Sequence, residues 1–232
     1  MAEIDINALM NEQFAKMMQN EWKQKVRSFS DLNKFAKKHE TVFTGSSLCE
    51  QFPVNEMLMS LGSKAIVYNR GIGGDVMSGL KKRLNESVFE LEPSKLFINI
   101  GTNDISSENY SREKLFEDYE EIINEIKSKL PDCKIYVLAY YPVNRSLSWF
   151  TEEDKERVKN SFRARTNEEL ISVNSQLEKM AKKLGCDCID VYSCLLGEDG
   201  NMKEEYCKDG MHIYPVGYLE VLKVLLPYID LK

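Results

Sequence analysis

Four short polar motifs contain the residue types that nucleophilic hydrolysis requires. They are Gly45-Ser46-Ser47-Leu48, the segment from Asn69 to Asp75, Gly101-Thr102-Asn103-Asp104, and Asp209-Gly210-Met211-His212. A serine hydroxyl is a weak nucleophile and needs a base within hydrogen-bonding distance. A histidine can be that base when a carboxylate holds its other ring nitrogen. The motifs therefore favour acyl transfer at Ser46 or Ser47.

The remaining parts of such a site can also be assigned from these motifs. Asp209 precedes His212 by one turn, so its carboxylate can reach the imidazole. An oxyanion needs fixed N–H donors. A serine that opens a helix offers its backbone N–H, Gly74 allows a close backbone approach, and Asn103 offers a side-chain amide. The other histidine, His39, precedes the first predicted strand, so His212 is the candidate base.

Each motif also has a purely structural interpretation. The serine pair could cap a helix, the Asn103-Asp104 pair could cap a turn, and His212 could be an ordinary surface histidine. The glycine run could be a dinucleotide loop. However, Gly71, Gly73 and Gly74 lack the G-x-G-x-x-G spacing, and no phosphate-binding lysine follows them.

Alternating strand and helix patterns place the four motifs at one edge of a sheet. Helical patterns follow near 48–62, 75–90, 108–130, 167–184 and 215–229. The short β-rich runs are Thr41–Thr44, Ala65–Asn69, Lys95–Ile100, Lys134–Tyr140 and Cys188–Val191. This alternation predicts a parallel sheet with helices on both sides. In such a sheet, ligands bind beyond the carboxyl ends of the strands, where these motifs lie.

Two segments do not belong to this pattern. Residues 5–38 contain no glycine or proline and have helical apolar spacing, with a cap for a second helix at Ser30–Asn33. Three roles stay open for this extension: packing on the domain, forming a dimerisation arm, or covering the active site. Residues 143–165 are polar and predict a loop or a lid. We therefore divide the chain into a helical extension, residues 1–39, and a catalytic domain, residues 40–232.

Composition and charge exclude several functional classes. The 232 residues have a net charge of −6, with no basic stripe of the kind that nucleic-acid binding needs. No apolar run is long enough to span a membrane, and no secretory signal opens the chain. The six cysteines match no zinc pattern. We interpret them as reduced thiols, which predicts a cytoplasmic protein.

The four motifs, in this order and at these intervals, resemble those of the SGNH (GDSL-type) hydrolases, from about residue 40 to 229. The resemblance implies a three-layer flavodoxin-like α/β fold with a five-stranded parallel sheet, order 2-1-3-4-5, and no cofactor or metal. It also implies that Ser47 is the nucleophile, His212 the base and Asp209 its orienting carboxylate. The oxyanion donors would be the Ser47 and Gly74 N–H groups and the Asn103 amide. Ser46 replaces the aspartate usual in the family.

The activity implied is that of a serine esterase acting on a small carboxylic ester. Large residues near the predicted site, Tyr141 and Ile213, favour a short acyl group such as O-acetyl. A lysophospholipase or thioesterase of the same family is the alternative. A different class, a non-catalytic interaction protein that uses the N-terminal arm, also stays open. The predicted partners are the ester substrate and a second copy of the chain, in a homodimer through the N-terminal helices.

Overall fold

The computed structural model describes residues 6–229, and residues 1–5 and 230–232 at the ends of the two predicted segments lie outside it. Its sheet is parallel throughout, in the order β2-β1-β3-β4-β5. The strands are β1 (Thr41–Gly45), β2 (Val67–Gly71), β3 (Lys95–Asn99), β4 (Lys134–Leu138) and β5 (Asp187–Ile189). The predicted fold class and strand order are confirmed, and each predicted strand overlaps the observed one.

Helices lie on both sides of the sheet, as the strand–helix alternation predicted. They are α1 (Ile6–Asn33), α2 (Ser47–Glu50), α3 (Val54–Ser60), α4 (Met77–Lys82), α5 (Leu84–Ser87), α6 (Thr102–Ile105), α7 (Arg112–Lys129), α8 (Glu152–Phe162), α9 (Asn167–Lys183) and α10 (Pro215–Ile229). Single 3₁₀ turns occur at Phe89–Leu91, Ser193–Leu195 and Glu204–Tyr206. None of the helices within residues 6–229 is long and apolar enough to cross a membrane.

The core is continuous through the central strands. Phe43 of β1 stacks on Phe97 of β3 with ring centroids 4.5 Å apart, and Phe97 stacks on Tyr136 of β4 at 4.8 Å. All five residues of β1 are buried. Burial on both faces explains why residues 96–98 of β3 and 135–138 of β4 are continuous apolar runs rather than alternating ones. The rigid sheet fixes the positions of the loops that follow its strands.

The N-terminal extension is one helix within the described residues. The expectation of a second helix beginning at Ser30–Asn33 was wrong, because α1 continues without interruption to Asn33. The buried Asn33 side chain accepts a hydrogen bond from Arg70 at 2.8 Å and donates one to the Glu86 carbonyl at 2.7 Å. This end of α1 therefore packs on the domain. The division at residue 39 stays a prediction.

The polar segment 143–165 is partly helical, so the expectation of a loop was wrong for residues 152–162. Thr151 and Asp154 form a reciprocal capping box at the start of α8, which stabilises a polar helix that apolar periodicity alone does not reveal. Phe162 is 1% exposed and its ring lies against Gly210. The segment therefore packs against the loop that contains Asp209-Gly210-Met211-His212.

All six cysteines are free thiols. Cys49 and Cys207 are buried, and burial raises the pKa of the Cys49 thiol to about 12 and that of Cys207 to about 11. Cys49 and Cys207 therefore act as small apolar residues of the core.

Candidate active site

Ser47 stands where β1 gives way to α2. Strand β1 ends at Gly45, where a Cβ atom would lie 2.0 Å from the Asn99 carbonyl oxygen of β3, so only glycine fits. Ser46 precedes α2 in an extended conformation and is 1% exposed. Ser47 is the first residue of α2, and its Oγ lies 2.8 Å from His212 Nε2. Of the two adjacent serines, the structure brings Ser47 to the histidine.

His212 lies in the loop before α10, with Asp209 beside it. Asp209 Oδ2 is 2.7 Å from His212 Nδ1, while Asp209 Oδ1 accepts the backbone N–H groups of Met211 and His212 at 3.1 and 2.9 Å. The carboxylate thus holds both the imidazole and the turn that presents it. The arrangement leaves Nε2 facing Ser47, the geometry that lets a histidine take a serine proton.

The environment of Asp209 keeps it ionised. Burial raises the pKa of this carboxyl, but the hydrogen bonds from the His212 ring and from the backbone N–H groups outweigh burial and lower the pKa to about 2. A carboxylate that accepts several N–H bonds favours its charged form. Asp209 is therefore an anion at neutral pH, as an orienting carboxylate must be.

Gly74 and Asn103 are linked through Asp75, in a loop where a Cβ on Gly73 would lie 3.8 Å from the Ser47 Cβ. Gly74 has φ +74°, a left-handed conformation that glycine adopts without strain. Asn103 Nδ2 donates to the Asp75 carbonyl oxygen at 2.8 Å. Since an amide nitrogen has two hydrogens, the second one remains available to a ligand. Together these residues offer donors of the type that an oxyanion requires.

Sequence reasoning missed a buried ion pair behind these donors. Arg83 Nε lies 2.6 Å from Asp75 Oδ2, and the two side chains are 0% and 3% exposed. The same guanidinium donates to the carbonyl oxygen of Gly45, the last residue of β1, at 2.8 Å. It also donates to the carbonyl oxygen of Arg70, the last residue but one of β2, at 2.6 Å. A signal existed in the sequence, because Arg83 falls in helical register with Leu80 and Ser87 on a buried face.

Asp104, next to Asn103, has an environment opposite to that of Asp209. Its carboxylate accepts the Met77 backbone N–H at 3.1 Å, at the start of α4. Burial dominates and raises the pKa of Asp104 to about 6. The Gly101-Thr102-Asn103-Asp104 motif therefore binds both the Asp75 carbonyl and the start of α4.

The residues expected to shape the acyl pocket lie in the core. Leu48 and Tyr141 are each 2% exposed and Ile213 is fully buried. The Tyr218 hydroxyl donates to the Leu48 carbonyl at 2.8 Å. The side chains of Leu48, Tyr141 and Ile213 are therefore packed in the core and do not line an open pocket.

A family model and a curated relative both match most of this chain. A sequence model of the GDSL-like lipase/acylhydrolase family matches residues 51–219, beginning just after Ser47. The platelet-activating factor acetylhydrolase IB subunit alpha1 of Bos taurus is 25% identical over 190 residues, 82% of this chain and 74% of the relative.

Two solved structures show the same fold. A Streptococcus pneumoniae protein proposed to be a platelet activating factor superposes with a TM-score of 0.83 at 25% identity, covering 96% of this chain and 99% of the other. A proposed acylhydrolase of Bacteroides fragilis gives a TM-score of 0.71 at 22% identity, covering 88% and 95%.

Proposed function

Since the chain belongs to the GDSL-like lipase/acylhydrolase family, and is thereby a hydrolase acting on esters, we propose that it is a serine esterase for short acyl groups. The observation that carries this proposal is the chain of contacts from Ser47 Oγ to His212 Nε2 at 2.8 Å and from His212 Nδ1 to Asp209 Oδ2 at 2.7 Å. These are the contacts that activate a serine hydroxyl.

In the first half of the reaction, Ser47 Oγ forms a bond to the ester carbonyl carbon while His212 Nε2 takes the hydroxyl proton. The carbonyl oxygen becomes an anion that the Ser47 N–H, the Gly74 N–H and the Asn103 amide stabilise. His212 then gives its proton to the leaving alcohol oxygen as the carbon–oxygen bond breaks. Asp209, ionised at neutral pH, stabilises the imidazolium formed between these steps.

In the second half, water replaces the alcohol. His212 takes a proton from the water as its oxygen attacks the acyl carbon, and the same donors hold the second oxyanion. Collapse of this intermediate breaks the bond to Ser47 Oγ, which regains a proton from His212, and releases the carboxylic acid. Ser47, His212 and the oxyanion donors thus serve both halves.

Burial around Ser47 supports a short acyl group. Leu48, which follows Ser47, and Tyr141 and Ile213 are at most 2% exposed, so these side chains are packed in the core and do not line an open channel for a long acyl chain. The Bos taurus relative is named an acetylhydrolase, which agrees with this size. We therefore assign acetyl-sized esters as the preferred substrates.

The test is hydrolysis of p-nitrophenyl acetate, butyrate and octanoate by the wild type, Ser47→Ala and Ser46→Ala. The rate should fall with chain length. It should drop by about 10⁶-fold in Ser47→Ala, as loss of a serine nucleophile does, and stay near wild type in Ser46→Ala. Full activity in Ser47→Ala with loss in Ser46→Ala would move the nucleophile. Preference for octanoate would favour the long-chain alternative.

Self-association through α1 is a second part of the proposal. Three apolar side chains of its first half are exposed, Met10 at 64%, Phe14 at 60% and Met17 at 56%. Their spacing places them on neighbouring turns of the helix, a pattern that favours an apolar partner. Size-exclusion chromatography of Phe14→Glu tests it: the wild type should elute as a dimer and the variant as a monomer. Equal elution of the two proteins contradicts it.

A further inference from the structure

The loop that contains Gly74 is held by hydrogen bonds at both of its ends. On one side, the Gly73 N–H donates to Glu50 Oε2 at 2.9 Å. On the other, the Asp75 carboxylate accepts from Arg83, and the Asp75 carbonyl accepts from Asn103. Gly74 itself has no side chain that could fix its conformation. The direction of its N–H therefore depends on Gly73 and Asp75.

Helix α1 reaches this loop through three side chains of one face, two of them directly and the third through Glu50. Trp22 Nε1 donates to Asp75 Oδ1 at 3.2 Å. Lys25 Nζ lies 2.8 Å from Glu50 Oε1, the other oxygen of the carboxylate that binds the Gly73 N–H. The methyl of Met18 lies 3.6 Å from the point where a Cβ on Gly74 would stand. The spacing of residues 18, 22 and 25 puts all three on one side of the helix.

We propose that α1 positions the oxyanion hole, with Trp22 and Lys25 as positioning residues that hold the Gly73–Asp75 backbone in its productive geometry. The inference rests on the proposed esterase mechanism, in which the Gly74 N–H and the Asn103 amide bind the oxyanion. It gives the N-terminal extension a role in catalysis through Trp22 and Lys25, which contact Asp75 and Glu50 rather than the reacting atoms.

Burial explains why Trp22 matters more than Lys25. Asp75 is 5% exposed, so the bond from Trp22 cannot easily be replaced by water, and a buried acceptor left without its donor is costly. Without the Trp22 donor, the Asp75 carboxylate gains another hydrogen-bond partner only if the loop moves. Lys25 is 29% exposed and Glu50 31%, so water can substitute there, and its removal should have the smaller effect.

One movement of Asp75 would disturb two donors together. Asp75 is the residue after Gly74, so its movement turns the Gly74 backbone and with it the Gly74 N–H. The Asp75 carbonyl also accepts a hydrogen bond from the Asn103 amide at 2.8 Å, so the same movement displaces that amide. Because oxyanion donors act only when they are placed within hydrogen-bonding distance of the developing charge, a shift of the loop lowers the stabilisation of the transition state. Binding of the uncharged ester uses these donors far less.

The test compares Trp22→Phe with the wild type on p-nitrophenyl acetate. Phenylalanine keeps an aromatic ring on the domain and lacks the N–H donor. We expect kcat to fall about 10-fold to 10²-fold, below the about 10²–10³-fold cost of removing a donor outright, with KM nearly unchanged. Lys25→Met should lower kcat less than Trp22→Phe does.

A boronic acid supplies a readout that loss of stability alone would not change. Phenylboronic acid forms a reversible tetrahedral adduct with a serine Oγ, and one boron-bound oxygen occupies the oxyanion hole. In Trp22→Phe its inhibition constant should rise by the same factor by which kcat/KM falls. The matched control is Phe29→Leu. Phe29 also lies on α1, but its ring centroid is 5.2 Å from the guanidinium carbon of Arg70 rather than against the Gly74 loop. This variant should keep the wild-type kcat and inhibition constant.

The outcomes separate this inference from the proposed function. If Ser47→Ala is inactive while Trp22→Phe keeps the wild-type kcat, the esterase mechanism stands and the role of α1 is refuted. A change in KM alone, an unchanged inhibition constant, or an equal loss in Phe29→Leu also refutes it. If Ser47→Ala keeps full activity, the proposed function fails, and the inference fails with it because it assumes an oxyanion formed at Ser47.

Discussion

The proposed active site has a base side, with Asp209 and His212, and an oxyanion side, with Gly74, Asp75 and Asn103. The two sides are built in different ways. On the base side, Asp209 holds His212 and its backbone within one four-residue turn, and the Asp209 side chain is 52% exposed. On the oxyanion side, Asp75 joins Asn103, Arg83 and Trp22, which lie up to 53 residues away in sequence, and both members of the ion pair are buried. One side is local and exposed, while the other is assembled from distant and buried groups.

This contrast predicts how far the effect of a substitution spreads. A change on the base side should alter chemistry with little effect on folding, because the turn supplies its own hydrogen bonds. A change on the oxyanion side should alter both, because the same buried groups hold the ends of β1 and β2. The next three predictions test that difference in order of decreasing expected effect.

Arg83→Met should cause the largest loss of stability. It leaves the Asp75 carboxylate buried without its cation, which typically costs about 3–5 kcal/mol. Urea unfolding measures the change in the free energy of unfolding. The exposed Lys81→Met, on the neighbouring helix, is the control and should change it by less than about 0.5 kcal/mol. Adding Asp75→Asn to Arg83→Met should recover part of the loss, and no recovery would contradict the ion-pair interpretation.

Asn103→Ala should weaken catalysis without abolishing it. Removal of one oxyanion donor typically lowers kcat by about 10²–10³. Steady-state kinetics on p-nitrophenyl acetate measures this, with Asn85→Ala, an exposed amide of α5, as the control. Because Asn103 also binds the Asp75 carbonyl, we expect a measurable loss of stability as well. An unchanged kcat would show that Asn103 is not an oxyanion donor.

Asp209 should make a smaller, pH-dependent contribution to stability. Its pKa falls from an ordinary value of about 3.9 to about 2 in the folded protein. The folded state therefore binds fewer protons than the unfolded state in this range, and stability falls as pH falls from about 4 towards 2. The unfolding free energies of the wild type and Asp209→Asn, measured between pH 5 and 2, should converge as the solution becomes more acidic.

The comparison isolates Asp209 from its neighbour on the oxyanion side. The pKa of Asp104 is raised to about 6, so its contribution is greatest at low pH and is lost as pH rises through 6. Asp104 is present in both proteins, and its contribution cancels in the difference. A difference that stays constant between pH 5 and 2 would contradict the prediction for Asp209.

The sequence determined the elements with strong periodic or local signals. The strands, the helices near 112–129, 167–183 and 215–229, and the placement of the motifs at the carboxyl edge of the sheet were all predictable. Buried parallel strands are continuous apolar runs, and the residues that follow them must share one edge. The resemblance to the SGNH hydrolases added the strand order, and it selected Ser47, which the structure places against His212.

Tertiary structure alone decided what supports those motifs. The Trp22–Asp75 bond, the bond from Arg83 to the Gly45 carbonyl and the contact of Phe162 with Gly210 join residues that lie far apart in sequence. The helical register of Arg83 predicts that its side chain is buried, but not which groups it binds. No periodicity or spacing encodes such contacts, because they depend on how complete elements pack against each other. The polar helix α8 had a local signal in the spacing of Thr151 and Asp154, but the burial of Val158 and Phe162 was decided by its packing.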